Sequence, residues 1–272
     1  MIGQRCAMVL GLWLVASTAL AQDIRVYTRI YSGEGNEPIV RSLTLFHAGK
    51  VYDYIEPAQE VTVFEPALRK FTVLNKPRQL RSEISQDQIR NFLSLAQDEA
   101  TKVLGNPTPG TNQKSLELLQ FQLQPEFATA FDASKKQLTL SSASFQYVVS
   151  VETKAPEVVE KYLHVADWTA QFNAVLHPKS MLPGPRMFLN QELRQRGLIP
   201  QSVELTTETE PQLHLVAKHE WTWNLKDADR QMIDSWDSDL QSQSIRQVPF
   251  LKFQQEVLKP QIGGPTVAKR TR

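Results

Sequence analysis

The residues of this chain with the most chemical potential at short spacing are His219-Glu-Trp-Thr-Trp223. On a strand, side chains alternate with period two, so His219, Trp221 and Trp223 project from one face. Two indoles and an imidazole in a row suit an aromatic platform with a polar end. They suit equally a core strand whose tryptophans are buried under a helix. Other chemistry is sparse. The five histidines are scattered without an i, i+4 pair, and His214 and His219 fall on opposite faces of one strand, so no metal site is expected. A mixed set of His47, Asp53 and His219 would need the fold to assemble it. There is no Gly-x-Ser-x-Gly elbow, no Ser-x-x-Lys and no phosphate-binding Gly-Lys-Ser/Thr, so neither catalytic residues nor a cofactor is assigned. Asp227 and Asp229 open a helical pattern, where acids complement the helix dipole without any catalytic role.

The first 21 residues read as a secretory signal peptide: Arg5, an apolar run from Ala7 to Val15, then Ala19-Leu20-Ala21. That predicts export by a Sec-type route to a periplasmic or extracellular space, with no stable membrane insertion after cleavage. The single cysteine, Cys6, lies in this segment, so the mature chain has neither disulfide nor thiol nucleophile. Arg5 is the only charge lost from the 30 basic residues, leaving 29 basic against 29 acidic. Four of the basic residues lie from Lys259 onward, which gives residues 259–272 the character of a flexible basic tail. This balance gives no support for nucleic-acid binding, and no nucleic-acid partner is expected.

Between signal and tail, residues 22–258 read as one α+β domain. Runs rich in Val, Ile, Thr, Tyr and Phe predict strands at Ile24–Tyr31, Ile39–His47, Lys50–Glu56, Glu60–Glu65 and Lys70–Asn75, with a two-residue hairpin at Ala48-Gly49. A second meander is predicted at Leu118–Leu123, Glu126–Phe131, Gln137–Ser141 and Phe145–Glu152, followed later by Ser202–Thr207 and Leu213–Trp223. Helices are predicted at Ser85–Leu104, with Ser85 and Gln88 as a capping box and Gly105 at C′, at Pro156–Leu176, at Arg186–Arg196 and at Asp227–Leu240, with a short one at Phe250–Leu258. The architecture expected is a large curved antiparallel sheet of about eleven strands, half-barrel-like, with about four helices packed on or over it. Neither face of the first meander is purely polar, so its second face is covered by helices or lines an apolar cavity.

This pattern of short aromatic-rich strands such as Lys50-Val-Tyr-Asp-Tyr54, with helices inserted between sets of strands, resembles the LolA/LppX-like carriers of lipoproteins or lipids. It departs from them at Ile24–Tyr31, a strand where they begin with an amphipathic helix. The resemblance implies an incomplete barrel over an apolar hollow. An apolar ligand would then contact Phe46, Tyr52, Tyr54, Phe64, His219, Trp221 and Trp223. Two rivals stay open: a hydrolase of envelope polymers, marked by facing carboxylates in a cleft, and an assembly factor that pairs a strand edge with an envelope protein.

Overall fold

A computed structural model describes residues 23–33, 35–177, 180–208 and 212–259. The residues read as a signal peptide, and nearly all of those read as a basic tail, lie outside these residues. The chain is α+β, built on one twelve-stranded sheet with six α-helices among the described residues.

Two meanders lie side by side in that sheet. The first comprises β1 (Ile24–Ser32), β2 (Val40–His47), β3 (Lys50–Ile55), β4 (Glu60–Glu65), β5 (Lys70–Asn75) and β6 (Leu80–Ser85). The second comprises β7 (Ala128–Asp132), β8 (Gln137–Ser141), β9 (Phe145–Thr153), β10 (Leu198–Thr207) and β11 (Leu213–Thr222). They join where β1 pairs antiparallel with β11, Val26 opposite Trp221 and Thr28 opposite His219. The two-residue strand β12 (Arg246–Gln247) adds to β6 in parallel and supplies the one parallel pair among the described residues. The hairpins form as their turn chemistry requires. Ala48 and Gly49 both take positive φ (47° and 78°), as a tight turn matched to strand twist demands. Gln59, Arg69 and Gln79 adopt the same left-handed conformation at successive bends of the first meander.

Helices α1 (Gln86–Gly105) and α2 (Gln113–Leu123) connect the meanders; α3 (Pro156–Leu176) and α4 (Gly184–Gln195) connect β9 to β10; α5 (Asp227–Gln241) and α6 (Phe250–Leu258) follow β11. The Ser85/Gln88 capping box is present, with bonds of 3.2 and 2.9 Å. Gly105, however, is the last helical residue, and Asn106 is the cap at φ −145°. Leu118–Leu123 is not a strand. Asn112 caps Lys114 N–H at 2.8 Å, and Leu118 and Phe121, three apart, pack together on the core as a helix requires.

One face of the sheet is covered across both meanders, and the other is covered over the first meander. On one, Ile24, Phe46, Val51, Phe64, Phe71 and Ile84 pack under α1, α3 and α6, and Leu138, Leu140, Val149 and Val203 pack under α3 and α4. On the other, Leu43, Leu45, Val61, Val63 and Leu74 pack against Ile233 and Trp236 of α5. That settles why neither parity of the first meander is polar. The sheet is neither closed nor strongly curled, so no hollow is enclosed by curvature. What space exists lies between the sheet and its helices.

Candidate functional site

Helix α3 crosses the sheet with Tyr162, Val165, Ala166, Thr169, Ala170 and Asn173 turned toward it, the i, i+3, i+4 repeat of one helical stripe. Beneath it runs a cross-strand row of short polar residues: Thr44 on β2, Asp53 opposite it on β3, and Thr62 opposite Asp53 on β4. The neighbouring row, Phe46, Val51, Phe64 and Phe71, fills its space, with Phe64 stacked on Phe71 at 4.3 Å and Phe71 on Phe172 at 4.7 Å. Small side chains on α3 above small side chains on the sheet leave a gap that close packing would otherwise close. The result is a cavity of 250 Å³.

Charge of both signs lines it. Asp53 accepts a hydrogen bond from Thr44 Oγ1 at 2.6 Å, and burial pushes its pKa up against that bond. Glu60, on β4, is 3% exposed; burial raises its pKa too, with Asp53 adding to the effect and a hydrogen bond with Asn75 opposing it. Arg186, in the first turn of α4, reaches the same cavity, its Nε donating to Asn190 Oδ1 at 3.0 Å. Tyr162 lies between these charges: it hydrogen-bonds Arg186 and feels Asp53, and burial above all raises its pKa. Among the described residues neither carboxylate forms an ion pair with Arg186 or with any other cation.

The next row on the same face runs from Glu60 through Ile55, Ser42 and Thr28 to His219. His219 meets Thr28 Oγ1 through Nδ1 at 2.9 Å, while its Nε2 is buried without a partner. Burial, with Arg186 second, brings its pKa down to about 4, which keeps the imidazole neutral near neutral pH.

Two further cavities share walls with the central one. A space of 370 Å³ near the β2–β3 hairpin shares Phe46, Val51 and Val165. One of 220 Å³ beside Phe145, Tyr147, Met181 and Leu182 shares Ala170, Asn173 and Arg186. The three form a row beneath α3, polar at its centre and mostly apolar at its ends.

The residues singled out from sequence divide between the two faces. Phe46 and Phe64 line the central cavity. Trp221 and Trp223 share that face but pack together, stacked at 5.7 Å, with Tyr162 edge-on to Trp221 at 4.8 Å and Trp221 Nε1 donating to Pro200 O. His219 lies at the far end of the row that begins at Glu60. Tyr52 and Tyr54 point to the opposite face, onto Trp236 at 6.2 and 5.5 Å, and the Tyr52 hydroxyl donates to Asp237. Across a two-residue turn, cross-strand partners differ in number parity, as Phe46 and Val51 do, so equal parity places Tyr52 opposite Leu45 and away from Phe46. His47 likewise leaves the set proposed with Asp53 and His219; it bonds Asp23 at 2.9 Å, near Arg230 of α5. Among the described residues no three His, Cys, Asp or Glu side chains converge as metal ligands do. Asp229 serves as a helix acid, accepting from Lys226 N–H at 2.8 Å and Arg25 Nε at 3.1 Å.

Asp53, Glu60 and Arg186 carry the site, and no motif announces them. The one available signal was two acids set among β-branched and aromatic residues of otherwise core-like strands. No protein-family model matches this chain, and no curated protein matches it. Among the described residues no helix is long and apolar enough to cross a membrane.

Proposed function

We propose that this chain is an exported binding protein that holds an amphipathic, largely apolar ligand between its sheet and α3. The observation that carries the reading is the row of three adjoining cavities beneath one helix, mostly apolar in surface at both ends although Lys50, Glu160, Lys161 and His164 rim the hairpin end. Burial of apolar surface would supply affinity, and the few polar groups at the centre would orient the ligand. This is the carrier logic that the resemblance to lipid and lipoprotein carriers implies, with helix-on-sheet space in place of a curled barrel.

Ala170 tests it, because this residue walls both the central and the 220 Å³ cavity. The chain purified after export and extracted with organic solvent is expected to release a lipid detectable by mass spectrometry. Ala170→Phe, which fills the row, is expected to reduce that yield at least several-fold with unchanged far-UV circular dichroism. Full retention of lipid by a folded Ala170→Phe protein, or none in the wild type, refutes the reading.

A second reading has one observation in its favour. Asp53 and Glu60 line the same cavity, as a glycosidase pair would. Such a pair needs one carboxyl protonated and its partner ionised, whereas burial pushes both of these in the same direction. Hydrolysis of a glycan that disappears in Asp53→Asn would establish the enzyme instead.

A further inference from the structure

The central cavity holds fixed charges of opposite sign that do not neutralise each other. Arg186 is cationic under all ordinary conditions. It is spent on neutral partners, Asn190 and Tyr162. Asp53 and Glu60 are likewise satisfied only by neutral donors, Thr44 and Asn75. Uncompensated charge in a poorly solvated space is costly, and proteins usually pair it across the gap. Here the gap is kept open by Ala166, Thr169 and Ala170 above and by Thr62 below. Arg186 also occupies the first turn of α4, where the helix dipole disfavours a cation and favours an anion beside it. A group that brings a cation to the sheet side and an anion to the α4 side would relieve all three charges together.

We infer that the ligand's polar part is zwitterionic, an ammonium group held by Asp53 and Glu60 and an acidic oxyanion, phosphate or carboxylate, held by Arg186. This assignment rests on the ligand reading above and sharpens it. The ammonium donates three hydrogen bonds to carboxylates that accept and cannot donate when ionised, and guanidinium matches an oxyanion with paired N–H groups. The apolar arms of the same molecule would then extend into the two flanking cavities. A lipid headgroup and its free counterpart share this chemistry, and the test separates the two.

The full chain, delipidated, is titrated by calorimetry with four probes: dihexanoyl phosphatidylethanolamine, dihexanoyl phosphatidylglycerol, monohexanoylglycerol and phosphoethanolamine. The zwitterionic lipid is expected to bind about tenfold tighter than the anionic one, one charged contact being of that order. Asp53→Asn is expected to close most of that difference. Arg186→Gln is expected to weaken both phospholipids about tenfold and leave monohexanoylglycerol unchanged, and Arg186→Lys is expected to restore part of the loss. Equal affinity for the three acylated probes overturns the zwitterion assignment and leaves the apolar reading standing. Phosphoethanolamine binding as tightly as its dihexanoyl lipid supports the charge assignment and overturns the apolar reading. Failure of all four probes to bind overturns both.

Discussion

Asp53 and His219 lie on one sheet face, both in surroundings that disfavour their charged forms, yet their pH dependences run in opposite directions. For Asp53 the folded-state pKa is raised, mainly by burial. Its favourable contribution is therefore complete below the unfolded pKa and is lost as pH rises through the folded value. Near pH 7 the wild type carries that cost, so Asp53→Asn is expected to stabilise the protein by about 0.5–2 kcal/mol, as replacements at strained functional positions commonly do. Urea denaturation near pH 7 and again near pH 3 checks this: the gain should shrink at the lower pH, and a variant less stable than wild type near neutrality would count against it. For His219 the folded pKa falls to about 4, burial being the main cause. Its contribution is present above the unfolded value near 6.5 and is lost as pH falls toward 4. His219→Gln should therefore flatten the fall in stability across that window, by on the order of 3 kcal/mol. Parallel stability–pH curves for the two proteins would show that the imidazole is not held neutral by its surroundings.

At the scale of elements, what could be read from sequence was whatever rests on local chemistry. The Ser85–Gln88 box, Pro156 at the start of α3 and the Ala48-Gly49 turn depend on neighbours within a few residues, and each forms as expected. Leu80–Ser85 was not legible, since its middle inward residue is Ser82, which breaks the apolar alternation, and the strand is held by pairing with β5 and β12. Helix α2 was misread because Leu119, Phe121 and Leu123 alternate like a strand, and tertiary contact with the second core decides otherwise. The site was the least legible element of all. Asp53 and Glu60 are neighbours on one β3–β4 hairpin, but Arg186 is far from them in sequence and joins them only once register and the α3–α4 layer are set. Gly184 shows how tightly that layer is placed. A Cβ there would drive into the Gln122 carbonyl oxygen of α2, whose side-chain Oε1 accepts from Leu182 N–H at 2.7 Å. Gly184→Ala should therefore cost about 1–3 kcal/mol by overpacking. Gly105→Ala, with open space around it at the end of α1, should be neutral or stabilising by up to about 1 kcal/mol. Denaturant midpoints of the two variants give the comparison, and equal midpoints would mean that α4 is free to shift away from α2.

The whole molecule has three apolar cores but one sheet, and that arrangement bears on how it unfolds. Strands β2 to β5 feed both faces at once: Phe46, Val51, Phe64 and Phe71 belong to the core under α1, α3 and α6, while Leu45, Tyr52, Val63 and Leu74 belong to the core under α5. Losing either helical layer leaves those strands with one apolar face in water, so neither core can persist alone. The other pair of cores, under α3 and α4, is joined through Tyr162, Trp221 and Trp223, which touch both. The β1–β11 seam between the meanders is a full antiparallel ladder from Arg25–Thr222 to Ser32–Leu215, not a thin linker. Unfolding should accordingly be a single transition, with a calorimetric enthalpy of roughly 160–180 kcal/mol near 60 °C equal to the van't Hoff value. Two resolved heat-absorption peaks would instead divide the molecule at that seam. An amphipathic ligand seated beneath α3 would raise the midpoint of this one transition in proportion to the logarithm of its free concentration. Because Trp236 lies on the opposite face from the cavities, its fluorescence, isolated by replacing Trp168, Trp221 and Trp223 with Phe, should report the same shifted midpoint as far-UV circular dichroism. Coincidence of the two signals with and without ligand would show that the cavity face and the α5 face fold as one unit; separation of them on adding ligand would show that only the layer around α3 is being held.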